Sequence, residues 1–230
     1  MGVGPELTNK GDSQMAQIAP SILSADFTKL GEEIVSLRKI GVKVVHVDVM
    51  DANFVPNLTF GYTMVKALSK YKENMKFDVH LMMEHPFAYI EKFVEAGADM
   101  LTVHEECADD VIACLDKIAA LGAVPGISLK PDTPAEAVLP YIGKFKQCLI
   151  MTVEPGFGGQ TMMYDCLDKM AAVRALCPDK ALIMSVDGGV TEENVKLVKE
   201  KGADLIVAGS AVFAPKNRKK AFKALQSLVD

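Results

Sequence analysis

No C-x-x-C pair occurs in this sequence, and its five cysteines (Cys107, Cys114, Cys148, Cys166 and Cys177) are odd in number. Both features argue against a disulfide framework and for a reducing, cytoplasmic setting. No apolar run reaches the roughly 18 residues that a bilayer-spanning helix needs, so no membrane partner is expected. The N-terminal stretch lacks the apolar core of a secretory leader and the arginine enrichment of a transit peptide. Glu6 stands where the myristoylation pattern requires Ser or Thr. A basic excess is missing too. The formal net charge is −5 and the pI about 5.5, which weighs against a nucleic-acid partner. The one basic cluster, from Lys216 to Lys220, reads as the solvated start of the last helix. The phosphate-binding lysine loop and a G-x-G-x-x-G after a first strand are both absent, so no nucleotide cofactor is expected.

What is present is a chain of 230 residues, half of them hydrophobic and 24% charged. That is enough for one domain with a substantial core. Residues 1–14, rich in Gly, Pro, Asn and Asp, read as a disordered extension, leaving 15–230 for the fold. Short β-rich runs cover 18–23, 42–49, 76–81, 100–104, 124–129, 148–153, 181–186 and 205–208. Amphipathic stretches such as 27–40, 86–96, 108–121, 164–176 and 192–201 lie between them. Gly41, Gly97, Gly122 and Gly202 punctuate the helix ends, where a left-handed residue is favoured. Eight strands alternating with helices predict a single (β/α)8 barrel, the TIM-barrel architecture, with an open doubly wound sheet as the alternative. Polar groups decide between them. Ser21, His46, Asp48, His80, His104, Asp187 and Ser210 fall at the C-terminal ends of different strands, and only a closed barrel gathers those ends at one mouth.

Four of these residues stand out. His46 and Asp48 alternate within Val45-His46-Val47-Asp48-Val49-Met50, His80 follows Asp78-Val79, and Asp187 closes Met184-Ser185-Val186-Asp187. Imidazoles and carboxylates inside apolar β runs are costly to bury without partners. Two of each would suit one divalent metal, and the two Asp residues are suited to proton transfer. The alternative is a set of unrelated inward polar residues, which convergence of four at strand ends disfavours. His104 is expected to rim the pocket or to be solvated, and His85 to lie in a loop. Neither is expected to be a ligand.

Opposite this group, Glu154-Pro155-Gly156-Phe157-Gly158-Gly159-Gln160 follows strand six, Asp187-Gly188-Gly189-Val190 follows strand seven, and Ala208-Gly209-Ser210-Ala211 follows strand eight. Such glycine clusters expose backbone N–H groups to an anion, and turns after strands seven and eight are the usual phosphate site of this fold.

Together with Ala19-Pro20-Ser21-Ile22-Leu23-Ser24-Ala25-Asp26, Asp51, and Phe54-Val55-Pro56-Asn57, these motifs resemble the ribulose-phosphate 3-epimerase family from about Ile18 to Phe213. The resemblance implies one divalent metal on His46, Asp48, His80 and Asp187, zinc or iron(II) first, with manganese or cobalt also suited. It implies Asp48 and Asp187 as the two acid/base residues and substrate contact by Ser21 and His80. The phosphate would rest on Gly156, Phe157, Gly158, Gly159, Gly188, Gly189, Gly209 and Ser210, and Met50, Met82 and Met151 would line the pocket. The implied partner is a phosphorylated ketopentose, and a homodimer is the expected assembly. Ala52-Asn53 and Thr161-Met162-Met163 depart from the family pattern without removing a proposed ligand. Allulose 6-phosphate is the rival substrate, and a non-catalytic sugar-phosphate binder is the rival class. The Asp-x-Lys-x-x-Asp pattern of related decarboxylases is missing, because Asp78-Val79-His80-Leu81-Met82-Met83 stands in its place.

Overall fold

The alternation V-V-H-V-D-V-M over Val44–Met50 sends two kinds of side chain to two sides of one strand. Val45, Val47 and Val49 join the main hydrophobic core, whereas His46 and Asp48 are buried in polar contacts on the other face. This division recurs around the structure, a computed structural model that describes residues 15–230. The expected extension over 1–14 lies outside the described residues.

The strands are β1 (Gln17–Pro20), β2 (Val44–Met50), β3 (Lys76–Met82), β4 (Met100–His104), β5 (Val124–Leu129), β6 (Gln147–Met151), β7 (Ile183–Asp187) and β8 (Leu205–Ala208). They pair in parallel in the order β1-β8-β7-β6-β5-β4-β3-β2. A parallel bridge between Ser21 and His46 joins the two ends of that order. The helices are α1 (Leu30–Lys39), α2 (Tyr62–Ser69), α3 (Ile90–Glu95), α4 (Val111–Ala120), α5 (Asp168–Leu176), α6 (Val195–Glu200), α7 (Ser210–Phe213) and α8 (Arg218–Ser227). The expected (β/α)8 barrel is therefore the fold.

Several boundaries differ from the sequence reading for local reasons. β1 stops at Pro20 because Ser21 caps a 3-10 turn, its Oγ accepting from the Leu23 N–H at 3.3 Å. Between β5 and β6 there is only a 3-10 segment, Ala135–Tyr141, whose Pro140 cannot donate to a regular α-helical ladder. α6 begins later than expected because Asn194 Oδ1 accepts from the Thr191 N–H at 2.8 Å, holding the chain in a turn.

The main core lies between the outer face of the sheet and the helices, and includes Phe77, Val79, Leu81, Leu101, Val103, Ile127 and Ile150. Inside the barrel, Ala19, Val44, Met100, Leu205 and Val207 pack as an apolar floor. Above them the lining turns polar: His46, Asp78, Thr102, Gln147 and Ser185 are fully buried. Asp78 is held by His46 Nδ1 at 2.8 Å and accepts from Gln147 Nε2 at 3.1 Å, and Gln147 reaches Ser185 Oγ at 3.2 Å. Thr102 Oγ1, Ser128 Oγ and Gln147 Oε1 find no partner among the described residues.

A repeated Gly-Ala-Asp element braces the floor. Asp99 accepts from the Phe77 N–H at 2.8 Å and pairs with Lys72 at 2.5 Å; Asp204 accepts from the Met184 N–H at 2.8 Å and pairs with Arg174 at 2.5 Å. Each carboxylate thereby fixes the start of the preceding strand, so register is set at the end away from the mouth.

Gly126 is required by close packing in the polar tier. A methyl group there would collide with Thr102 Oγ1 and lie 3.0 Å from Thr102 Cβ. Gly126→Ala is expected to lower the unfolding free energy by about 1–3 kcal/mol, the usual cost of overpacking. Urea denaturation checks this, with the midpoint falling and the slope unchanged.

Candidate active site

β2, β3 and β7 deliver His46, Asp48, His80 and Asp187 to one point at the mouth, and one ligand atom from each lies within 4.8 Å of all the others. His46 Nε2 is 3.2 Å from Asp48 Oδ1 and 3.9 Å from Asp187 Oδ2. His80 Nδ1 is 3.3 Å from the same Asp48 oxygen. The second oxygen of Asp48 accepts from Ser21 Oγ at 2.6 Å, and the Asp48 carbonyl accepts from Thr59 Oγ1 at 2.7 Å. Asp48 is thus fixed at side chain and backbone. Two imidazole nitrogens and two carboxylates converging from a rigid sheet fit a divalent cation.

Burial and the neighbouring charges shift His46, Asp48 and Asp187 in different directions. Burial acts to lower His46, but the Asp48 and Asp78 carboxylates outweigh it and raise the imidazole well above its ordinary value. Burial acts to raise Asp48, yet the facing His46 and His80 hold it well below the usual carboxylate range. For Asp187, burial first and the Asp48 charge second outweigh the lowering by His46 and His80 and push the carboxyl up to about 6.

The outer nitrogens of the two histidines are also engaged. His46 Nδ1 meets Asp78, and His80 Nε2 lies 2.7 Å from His104 Nε2. His104 is fully buried and is not solvated, which corrects that part of the sequence expectation. Burial pushes its imidazole down to about 4, so the ring is neutral. Its Nδ1 lies 2.9 Å from Glu106 Oε2. Burial raises Glu106, but hydrogen bonds from His104, Thr133 and the Lys130 backbone outweigh it and hold the carboxyl at about 2. Sequence reasoning passed over Asp78, Gln147 and Glu106. The alternation of Asp78 with His80 was the signal for the first; nothing local marked the other two.

Above the cluster lies a cavity of about 360 Å³. Ser21, Asp48, Met50, Met82, Met151 and Asp187 form its floor and inner wall. Gly156, Phe157, Gly158, Gly159, Gly188, Gly189, Gly209 and Ser210 form the opposite wall. His46 and His80 stand behind this lining, fully buried. No lysine or arginine lines the cavity among the described residues. The glycine wall is tied in place by side chains: Gln160 Nε2 donates to the Glu154 and Phe157 carbonyls at 2.7 and 2.8 Å, and Asn194 Nδ2 donates to the Gly189 carbonyl at 2.9 Å. Asn57 Nδ2 donates across the mouth to the Gly156 carbonyl at 2.7 Å. Gly189 has a φ of +64°, and a side chain there would come within 2.8 Å of Met162 Cα.

Residues 17–213 match the model of the ribulose-phosphate 3 epimerase family. The chain belongs to that family. It is 42% identical over 215 residues to a ribulose-phosphate 3-epimerase of Bacillus subtilis (strain 168), covering 92% of this chain and 99% of that protein. It is 41% identical over 216 residues to a ribulose-phosphate 3-epimerase of Schizosaccharomyces pombe, covering 93% and 94%. A crystal structure of 3-keto-L-gulonate-6-phosphate decarboxylase from Vibrio cholerae aligns with a TM-score of 0.71 over 94% of this chain and 97% of that one. At 18% identity that likeness shows the barrel fold alone. As a ribulose-phosphate 3-epimerase family member the chain is an isomerase of sugar phosphates, and its four clustered ligand atoms fit the metal expected from the sequence. No helix among the described residues is long and apolar enough to cross a membrane.

Metal uptake by this epimerase family member must displace protons. His46, raised by its two carboxylates, has to lose one, and below about pH 6 the Asp187 carboxyl has to lose another. Affinity for a divalent cation therefore falls as pH falls, by about tenfold per unit for each proton displaced. Zinc titration against a competing chelator from pH 5 to 8 checks this, and a flat profile would contradict the assignment of those protons.

Proposed function

We propose that this chain interconverts D-ribulose 5-phosphate and D-xylulose 5-phosphate by two-base inversion at C3. One observation carries the reading: Asp48 from β2 and Asp187 from β7 reach the same point from different sides of the mouth. Inversion next to a carbonyl needs a proton removed from one face of C3 and another returned to the opposite face. A single carboxylate reaches one face, so two on different strands suit the planar enediolate between them. Each Asp takes the proton in one direction of reaction and gives it in the other.

The remaining residues follow from that plane. The short Ser21 hydrogen bond fixes one oxygen of Asp48 and leaves the other facing His46 and His80. Ser21, which lines the cavity, is the proposed contact to the sugar oxygens, and His80, behind the lining, would act on them only through the cation it holds. A divalent cation on His46, Asp48, His80 and Asp187 would supply Lewis-acid stabilisation of the enediolate charge, and the donor set suits zinc or iron(II), with manganese and cobalt as substitutes. Met50, Met82 and Met151, all buried, form an apolar floor that keeps water from the reacting carbon. Backbone N–H groups of Gly156, Phe157, Gly158, Gly159, Gly188, Gly189 and Gly209, with Ser210 at the start of α7, would hold the phosphate and set the distance from it to C3. Five free thiols suit a cytoplasmic enzyme. Exposed Phe87, Tyr89 and Ile112 on the helical ring suit a homodimer, which sedimentation velocity checks.

Asp48→Asn and Asp187→Asn are each expected to cut turnover by about 10²–10⁴-fold in a coupled assay on ribulose 5-phosphate. Near-parental turnover by either variant would remove the two-base assignment. Faster turnover of allulose 6-phosphate assayed in parallel would change the substrate. Full activity after exhaustive chelation would remove the cation.

A further inference from the structure

We propose that His104 and Glu106 are positioning residues for the metal centre: the chain Glu106–His104–His80 fixes the His80 proton on Nε2 and so presents Nδ1 as the cation ligand. This rests on the metal reading above and adds two residues to it.

The two histidines of the cluster are supported differently. His46 has a carboxylate directly behind it, Asp78 at 2.8 Å, which accepts the Nδ1 proton and leaves Nε2 for the cation. Behind His80 stands another imidazole. His80 Nε2 and His104 Nε2 are 2.7 Å apart, and both rings are fully buried. A nitrogen–nitrogen contact of that length requires one proton between them, because two lone pairs or two N–H groups would repel. From these two rings alone either direction is open.

The far end of the chain closes the choice. Glu106 Oε1 accepts from the Lys130 backbone N–H at 2.8 Å and from the Thr133 hydroxyl. Two donors on that one oxygen favour the ionised carboxylate, which accepts at both oxygens. Its other oxygen faces His104 Nδ1 at 2.9 Å, so that nitrogen carries the proton. A neutral His104 protonated at Nδ1 has its lone pair at Nε2, so His80 Nε2 is the donor. With a cation held, the His80 lone pair is then at Nδ1, the nitrogen that faces Asp48 at 3.3 Å. Phe54 covers His104 at 4.7 Å between ring centroids, and Lys130 Nζ sits 3.8 Å over Phe54. That cover keeps solvent off the two rings. The Glu106 carboxylate, held by the loop after β5, thus sets the proton order through His104 and His80 to the metal site.

Long-range ¹H–¹⁵N NMR reads the tautomers directly, because the chain has only four histidines. With and without zinc, His104 is expected to be protonated at Nδ1; with zinc bound, His80 is expected to be protonated at Nε2 alone. His104 protonated at Nε2 overturns the proposal, whereas a protein that takes up no zinc sinks the metal reading and leaves the tautomers as the test. Glu106→Gln supplies the functional check. With its carbonyl still on Lys130 N–H, the new amide group donates to His104 Nδ1 and reverses the chain, leaving the His80 proton on the cation side. Zinc affinity is expected to fall about 10–100-fold, the usual cost of losing such support, while the melting temperature of the metal-free protein stays near parental. His104→Gln keeps an acceptor for His80 Nε2 and is expected to bind zinc within a few-fold of the parent. Parental zinc affinity and parental His80 shifts in Glu106→Gln would contradict the proposal.

Discussion

Charged and polar groups buried inside a ring of parallel strands set the terms for this structure. A barrel filled with aliphatic side chains is stabilised by packing alone. Here β2 and β3 place His46, Asp48, Asp78 and His80 in its interior, and each needs a partner at the right distance. The floor of Val44, Met100 and Leu205, the Gly-Ala-Asp braces and the dense outer core hold the strands in one register. A one-residue slip would turn the polar residues toward the helices, so the same register that buries them also brings them together.

Much of this was legible in the sequence because alternation is a short-range signal. His46 with Asp48 reads as one face of one strand, and eight such segments separated by helices leave few arrangements other than a barrel. Membership of one cluster for Asp187, far along the chain, followed from closure of the ring. Contacts that depend on neighbouring strands were harder to read. His104, beside Glu105 and Glu106, read as rimming the pocket or solvated, yet the β3–β4 pairing turns it inward against His80. Glu106 works through the loop after β5, which no spacing in the sequence reveals. Ser21 was legible as polar at a strand end, but its capping of a 3-10 turn and its bond to Asp48 needed coordinates.

The two walls of the cavity are built on different physical terms. Side chains on rigid strands make the inner wall, with their hydrogen-bond partners fixed behind them. The glycine wall is backbone, held by Gln160, Asn194 and Asn57. Because Asn57 belongs to the loop after β2 and Gly156 to the loop after β6, the bond between them spans the mouth and links the two walls. Changes in Thr161, Met162 and Met163 fall beside this arrangement and leave its ties intact.

Among the described residues no lysine or arginine lines the cavity, and this has a consequence for how a phosphate would be discriminated. Backbone amides do not titrate over the range in which cells live, and they carry only partial charge. A wall made of them responds to the protonation state of its ligand while contributing no titration of its own. The second ionisation of a phosphate monoester, near pH 6, would then enter the pH profile of substrate binding from the sugar phosphate, beside the Asp187 carboxyl pushed up to about 6 at the other wall.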